Sequence, residues 1–223
     1  MGTDRSPERA RQDYVKAIYQ LGRRGPVKAV DLARYLGVSR ASVSKFKRLL
    51  ERDRLILASD HQGDALHLTR SGMALAVRMV RRHRLLETFL HRSLGVPLEQ
   101  IHAEAERIEH ALSADLTERL ARFLGDPTED PHGHAIPTDR GQLTEPASFP
   151  RPLNGVAVGA QITVASIDDR DAVVVKGLAA LGVLPGFAAT IVRRNSRGVQ
   201  FDSGERTFVL PAALAEAVWC KPA

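Results

Sequence analysis

The chain has 223 residues, 43% hydrophobic and 26% charged, and a formal net charge of +6. That composition excludes disordered and fibrous classes, and the longest apolar runs fall far short of the ~18 residues of a membrane span. A single cysteine, Cys220, excludes internal disulfides and thiolate zinc knuckles, and MGTDRSPERARQDY has no apolar signal core, so a cytoplasmic protein without a membrane partner is expected.

In chain order, residues 8–21 place Tyr14, Val15, Ile18 and Leu21 at helical spacing. A short helix over 30–36 is broken by Gly37, and Ser39 caps a second helix reaching Arg52 with Val43, Phe46, Leu49 and Leu50 inward. Helix, glycine turn, helix is a helix-turn-helix. Residues 55–57 and 65–69, joined by a turn at Asp60, His61, Gln62, Gly63 and Asp64, read as the hairpin wing of a winged helix. This region is basic: residues 1–75 carry 15 Lys and Arg against 8 Asp and Glu, whereas 76–140 carry 9 against 11. The excess points to a polyanion partner. At the start of the second helix, Ser39, Arg40, Ala41, Ser42 and Lys45, followed by Lys47 and Arg48, can reach phosphates and base edges of double-stranded DNA, with the Ala41 methyl suited to a thymine methyl. The bland reading is a winged helix used for protein contacts alone.

A long helix runs from about Ser71 to Ser93, and Pro97 opens another to about Leu124. Six of the eight histidines lie between residues 83 and 134. If one helix carries them all, Glu106, Glu109 and His110 fall on the same face as His102, because steps of four, seven and eight residues each come close to whole turns. That polar face lies apart from the stripe of Ile101, Ala105, Ile108 and Leu112. A solvated face would place Lys or Arg three or four residues from Glu106, but His102, Ala103, Glu109 and His110 stand there. A divalent cation relieves that repulsion. His83 and Glu87 add an i, i+4 pair, in isolation an ordinary intrahelical ion pair. Carboxylates without cysteine suit Mn²⁺ or Fe²⁺ better than a closed zinc site.

Residues 125–152 hold six of the twelve prolines and read as a tether, ordered at its start at most. Beyond them, β-rich runs at 161–167, 172–176, 188–193, 198–201 and 206–210 suggest a small barrel. The expected class is α+β and multidomain: a winged helix-turn-helix over 1–75, a helical metal-binding and dimerisation domain over 76–140, a Pro-rich linker over 141–155, and an SH3-like β-barrel over 156–223.

The strings Arg82-His83-Arg84-Leu85-Leu86-Glu87, His102-x-Glu104-Ala105-Glu106-x-x-Glu109-His110, Leu124-Gly125-Asp126-Pro127 and Pro131-His132-Gly133-His134-Ala135-Ile136-Pro137 closely resemble the diphtheria-toxin-repressor-like family of iron- and manganese-dependent transcriptional regulators. The barrel, through Leu181-Gly182-Val183-Leu184-Pro185-Gly186, resembles the ferrous-transport A (FeoA) domain. The resemblance implies a primary metal site of Asp13, Glu106, Glu109 and His110. It also implies an ancillary site of His83, Glu87 and His102, completed from the acidic barrel residues Asp168, Asp169 and Asp171, with Asp171 at the aligned ligand position and Val174 where an amide is expected. Asp13 and Glu106 stand where iron regulators have Met and Cys, which resembles the manganese branch; Lys16 replaces a carboxylate of the short manganese regulators, which favours separate primary and ancillary sites. The expected function is a Mn²⁺-dependent repressor controlling metal homeostasis, a homodimer on a palindromic operator, with Leu85, Phe89, Ile101, Ile108 and Leu112 as partner surfaces. An Fe²⁺-dependent repressor is the alternative within the class. A metal-dependent hydrolase would need a general base beyond the ligands, and the sequence offers none.

Overall fold

The computed structural model describes residues 6–23, 25–58, 65–142 and 150–222. They divide into two compact units, one of residues 1–82 with 137–142 and one of 83–136 with 143–223.

In the first unit, α1 (Pro7–Gly22) starts where Ser6 accepts from the Arg9 amide and Pro7 pre-sets the first turn. Helix α2 (Ala29–Leu36) ends at Gly37, whose φ of 63° is the left-handed conformation the turn needs. Ser39 then caps α3 (Arg40–Arg52) by accepting from the Ser42 amide. Tyr14, Val15, Ile18, Leu32, Val43 and Leu50 close one apolar core, and Tyr14 stacks on Phe46 at 4.6 Å. The expected hairpin is reduced to single bridges, Ile56 with Leu68 and Lys28 with Ala65. The segment beside α2 takes one of the pairings, since Leu66 N–H donates to Val27 carbonyl. The expected turn at 60–64 lies outside the described residues. Helix α4 (Arg70–Leu94) begins where the Gly72 amide donates to Thr69 Oγ1.

The helix expected from Pro97 to Leu124 is broken in two. Helix α5 (Leu98–Ile108) passes into a 3-10 turn at Glu109–Ala111, and α6 (Ala114–Phe123) restarts where Ser113 accepts from the Leu116 amide. A good cap in mid-run competes with helix continuation, so the single helical face does not extend to Glu109 and His110.

The sheet of the second unit has six antiparallel strands in the order β1-β6-β2-β3-β4-β5: β1 (Arg151–Pro152), β2 (Gln161–Ile167), β3 (Ala188–Asn195), β4 (Gly198–Asp202), β5 (Thr207–Pro211) and β6 (Val218–Pro222). The strand expected at 172–176 is instead the start of helix α7 (Ala172–Leu181). Its β-branched run favours a strand, but Asp171 accepts from the Val173 and Val174 amides and Gly182 ends the helix in the left-handed conformation. A short helix, α8 (Ala212–Ala215), leads into β6. The linker expected to reach residue 155 stops sooner, because Arg151 and Pro152 pair with β6 and Leu153 is fully buried.

The helices and sheet of this unit share one apolar core: Leu86, Leu90, Leu98, Ile101 and Ala105 pack in a cluster with Ile162, Val164, Val175, Leu178 and Phe201. The start of the Pro-rich stretch is ordered too. Asp130 Oδ1 accepts from the His132 and His134 amides, both at 2.9 Å, and Ile167 N–H donates to His132 carbonyl. Leu85 and Ile101 are fully buried in the chain's own core, so they leave the expected partner surface. Ile108, expected on that surface, is exposed, as are Leu116 and Phe123, with Phe123 edge-on to Phe89.

Gly133 has φ of 84°, and a Cβ there would sit 2.1 Å from Ala165 carbonyl oxygen. Gly133→Ala is therefore expected to cost more than about 1 kcal/mol, read as a lower midpoint in denaturant unfolding; an unchanged midpoint would show that the loop can shift away from β2.

Candidate metal centre

The second half of α4 places His83 and Glu87 one turn apart, on a buried stretch of the helix. α5 supplies His102. The turn between β2 and α7 supplies Asp169, because Asp168 is held by the Arg170 guanidinium (2.7 and 2.9 Å) and Asp171 is occupied as the α7 cap. Asp171 is therefore not the barrel residue facing the helices; its neighbour two positions earlier is. Val174 packs against the apolar core.

One donor atom from each of His83, Glu87, His102 and Asp169 lies within 4.8 Å of all the others. His83 Nε2 is 3.0 Å from Glu87 Oε1 and 3.1 Å from His102 Nδ1. His102 Nδ1 is 3.2 Å from Glu87 Oε1 and 3.4 Å from Asp169 Oδ2. Four donors around a divalent ion at ~2.0–2.2 Å stand roughly 3.0–3.5 Å apart, so these residues fit such an ion. His83 also has the carboxylate partner that metal-ligating histidines need on their second nitrogen: Nδ1 is 2.7 Å from Glu109 Oε2.

The electrostatics of the metal-free cluster agree. Burial acts to raise Glu87, yet the adjacent His83 and His102 rings hold it well below the usual carboxylate range. Asp169 is likewise held well below that range against its burial, by the His102 hydrogen bond and the surrounding imidazoles. Burial acts to lower His102, but its hydrogen bonds to Asp169 and Glu87 push it up to about 11. The ring nitrogen that would meet a metal is thus occupied by a proton at neutral pH.

Of the residues expected at the primary site, Glu109 is fully buried, His110 is mostly buried and Glu106 is about half exposed. His110 Nε2 lies 3.5 Å from Glu109 Oε1, and Glu106 Oε1 lies 3.8 Å from His102 Nε2. Asp13 is half-buried on α1, in the first unit. On α3, Ser39 Oγ is engaged with the Ser42 amide and hydroxyl. Arg40, Ala41, Lys45 and Arg48 are exposed, and Ser42 and Lys47 are half-buried; among the described residues Arg40, Lys45 and Arg48 have no carboxylate partner. Asp130 and His132, which the sequence reading left unassigned, are buried beside Glu87. The visible signal was the Asp130-x-His132-Gly133-His134 spacing, an Asp capping a tight glycine turn.

Comparison with known proteins gives three family matches. "Iron dependent repressor, N-terminal DNA binding domain" matches residues 8–63, "Iron dependent repressor, metal binding and dimerisation domain" residues 69–138, and "FeoA domain" residues 151–222. The iron-dependent repressor IdeR of Mycobacterium tuberculosis is 33% identical over 92% of this chain and 94% of its own length. Among solved structures, a manganese-dependent transcriptional repressor in complex with manganese superposes with a TM-score of 0.86 at 36% identity, covering 96% of this chain and 100% of that one. The manganese regulator SloR gives 0.78 at 27% identity, covering 96% and 98%.

Mn²⁺ entering the His83–Glu87–His102–Asp169 cluster displaces the His102 proton, so binding is expected to release about one proton per ion at neutral pH and to tighten as pH rises. Calorimetric heats measured in two buffers of different ionisation enthalpy check this, and equal heats would contradict it. In the metal-free protein the raised His102 adds stability that is complete below its ordinary value of 6.5 and fades as pH climbs toward about 11.

Proposed function

Because this chain belongs to the diphtheria-toxin-repressor-like family of metal-dependent regulators, whose members are transcriptional regulators and not enzymes, we propose that it is a cytoplasmic, homodimeric, Mn²⁺-responsive repressor of metal-homeostasis genes. The observation that carries the reading is the group of two imidazoles and two carboxylates at His83, Glu87, His102 and Asp169, in a chain whose α3 presents the exposed cations Arg40, Lys45 and Arg48.

Two metal sites have separate tasks. Glu106, Glu109 and His110 hold the regulatory ion, and the family resemblance adds Asp13 from α1 as a further donor. A regulatory ion favours whichever arrangement of the protein satisfies all its donors, and that differential affinity is what a switch requires. His83, Glu87, His102 and Asp169 hold the ancillary ion. The dimer uses the exposed apolar residues Ile108, Leu116 and Phe123. Two like recognition helices related by a two-fold axis read a palindromic operator, with Arg40, Ala41, Lys45 and Arg48 at the base edges and phosphates.

Oxygen donors at Asp13 and Glu106, without a thiolate or thioether, favour the harder Mn²⁺, and the two structural neighbours described above are manganese regulators. The 33% identical relative is an iron-dependent repressor, which makes Fe²⁺ the second reading. Anaerobic binding to a duplex selected from a random library, titrated with free Mn²⁺, Fe²⁺, Co²⁺ and Zn²⁺, tests the choice. Half-maximal binding at the lowest free concentration with Fe²⁺ would overturn manganese, and binding indifferent to all four would overturn metal control.

Glu106→Ala or His110→Ala is expected to abolish metal-stimulated binding while the protein remains a folded dimer; stimulation retained in both would place the regulatory ion elsewhere. Arg40→Ala and Lys45→Ala should each weaken the duplex complex, by ~1–3 kcal/mol for a base-reading contact or with a shallower salt dependence for a phosphate contact. If neither changes affinity, α3 is not the recognition helix.

A further inference from the structure

Besides Arg194 Nε, three buried side-chain atoms of this unit have no hydrogen-bond partner among the described residues: Glu87 Oε2, Asp130 Oδ2 and His132 Nδ1. They belong to neighbouring side chains, for one donor atom from each of Glu87, Asp130 and His132 lies within 4.8 Å of the other two. Unsatisfied polar atoms are few in folded proteins and each calls for a cause. Three together, in side chains at most 5% exposed, mark a place built for something.

His132 identifies what that is. Its Nε2 lies 3.2 Å from Leu98 carbonyl oxygen, which only accepts, so Nε2 carries the hydrogen and Nδ1 of the neutral ring presents its lone pair. That lone pair faces Glu87 Oε1 and Asp169 Oδ2, each at 3.8 Å. Those two oxygens share the His102 Nδ1 proton, at 3.2 and 3.4 Å, which leaves the His132 lone pair without a donor of its own. A proton on Nδ1 would leave both oxygens beyond hydrogen-bond reach and would leave Glu87 Oε2 and Asp130 Oδ2 unsatisfied. A backbone carbonyl on the far nitrogen is also the arrangement that orients metal-ligating histidines.

Two other side chains face Asp130. Arg84 Nε is 3.5 Å and His134 Nδ1 is 3.4 Å from Asp130 Oδ2, while Asp130 Oδ1 is taken by the His132 and His134 amides. The Arg84 guanidinium is committed to Ala135 carbonyl, so it compensates Asp130 from one side and does not reach His132. Glu87 connects the two groups: Oε1 faces His83 and His102 and lies 3.8 Å from His132 Nδ1, and Oε2 has no hydrogen-bond partner among the described residues.

We propose that Glu87, Asp130 and His132 form a second divalent-cation pocket, with the Glu87 carboxylate bridging it to the ion held by His83, His102 and Asp169. The buried centre is then a carboxylate-bridged pair of ions of the Mn²⁺ or Fe²⁺ class, separate from the regulatory ligands Glu106, Glu109 and His110. Donors around ions with bonds of ~2.1 Å stand roughly 3.0 Å apart when adjacent and 4.2 Å when opposite; His132 Nδ1 and the Glu87 carboxylate, 3.8 Å apart at Oε1, fall between these. The inference rests on the ancillary-site reading of His83, Glu87, His102 and Asp169.

The test uses the full chain, stripped with chelator and dialysed against Mn²⁺. Bound metal is counted by elemental analysis, and the electron paramagnetic resonance spectrum is recorded for wild type, His132→Gln, Asp130→Asn and His83→Ala. Asp130→Asn retains an oxygen to accept from the His132 and His134 amides, so it decides the matter if His132→Gln does not fold; circular dichroism in chelator checks folding. The expected result is an exchange-coupled Mn²⁺ pair in wild type, with one ion per chain and the coupling lost in His132→Gln and Asp130→Asn. Unchanged counts and spectra in those two variants, with one ion lost in His83→Ala, would overturn the second pocket and leave the ancillary site standing. An unchanged count in His83→Ala as well would overturn both.

Discussion

Glu87 is a carboxylate with no exposure to water, and removing such a group from water costs several kcal/mol unless countercharge or hydrogen bonds stand within reach. Asp130 and Asp169 lie close by with the same requirement. The surroundings are arranged accordingly: α4 sends His83 back onto Glu87, α5 adds His102, the Asp130 turn brings in His132, and the sheet unit contributes Asp169. A shared apolar core of α4, α5 and β2 to β5 residues holds these donors in place and keeps water from compensating the charges. Protons compensate them without metal, as the elevated His102 shows. Divalent ions do so with one charge centre where several protons are otherwise needed.

The hydrogen bond between His83 Nδ1 and Glu109 Oε2, 2.7 Å long with both side chains buried, carries that requirement outward. A cation on His83 Nε2 polarises the ring and strengthens its donation to Glu109, a ligand proposed for the regulatory ion. Under the proposed assignment, an ion on His83 would fix one oxygen of Glu109 and leave Oε1, beside His110, for the other metal, a short physical path between the two proposed sites through a single imidazole.

Much of this organisation was legible in the sequence, for reasons local to particular residues. Gly37 and Ser39 punctuate the helix-turn-helix, and the β-rich run 161–167 marks β2 to the residue. The i, i+4 pair of His83 and Glu87 and the polar face begun by His102 pointed to the metal-binding helices. Other features depend on competition that a residue count does not resolve. The run from Ala172 to Lys176 looks like a strand, but the Asp171 cap and Gly182 turn it into α7, and that cap removes Asp171 from the centre in favour of Asp169. Ser113 breaks the long helix and sends Glu109 and His110 into a tighter turn. His132 stood in a motif recognised by resemblance and Asp130 just before it, yet their chemistry emerges only when the glycine turn at Gly133 folds them against Glu87. The Pro-rich stretch read as a tether ordered only at its start, and that start is the part Asp130 anchors.

The central claim is that the buried carboxylates and imidazoles around Glu87 exist to hold divalent cations. Anomalous-difference density from crystals grown in Mn²⁺, with data on both sides of the manganese absorption edge, tests it most directly. The account predicts an edge-dependent peak enclosed by His83, Glu87, His102 and Asp169. No peak there, in crystals whose protein carries manganese at Glu106, Glu109 and His110, would contradict it.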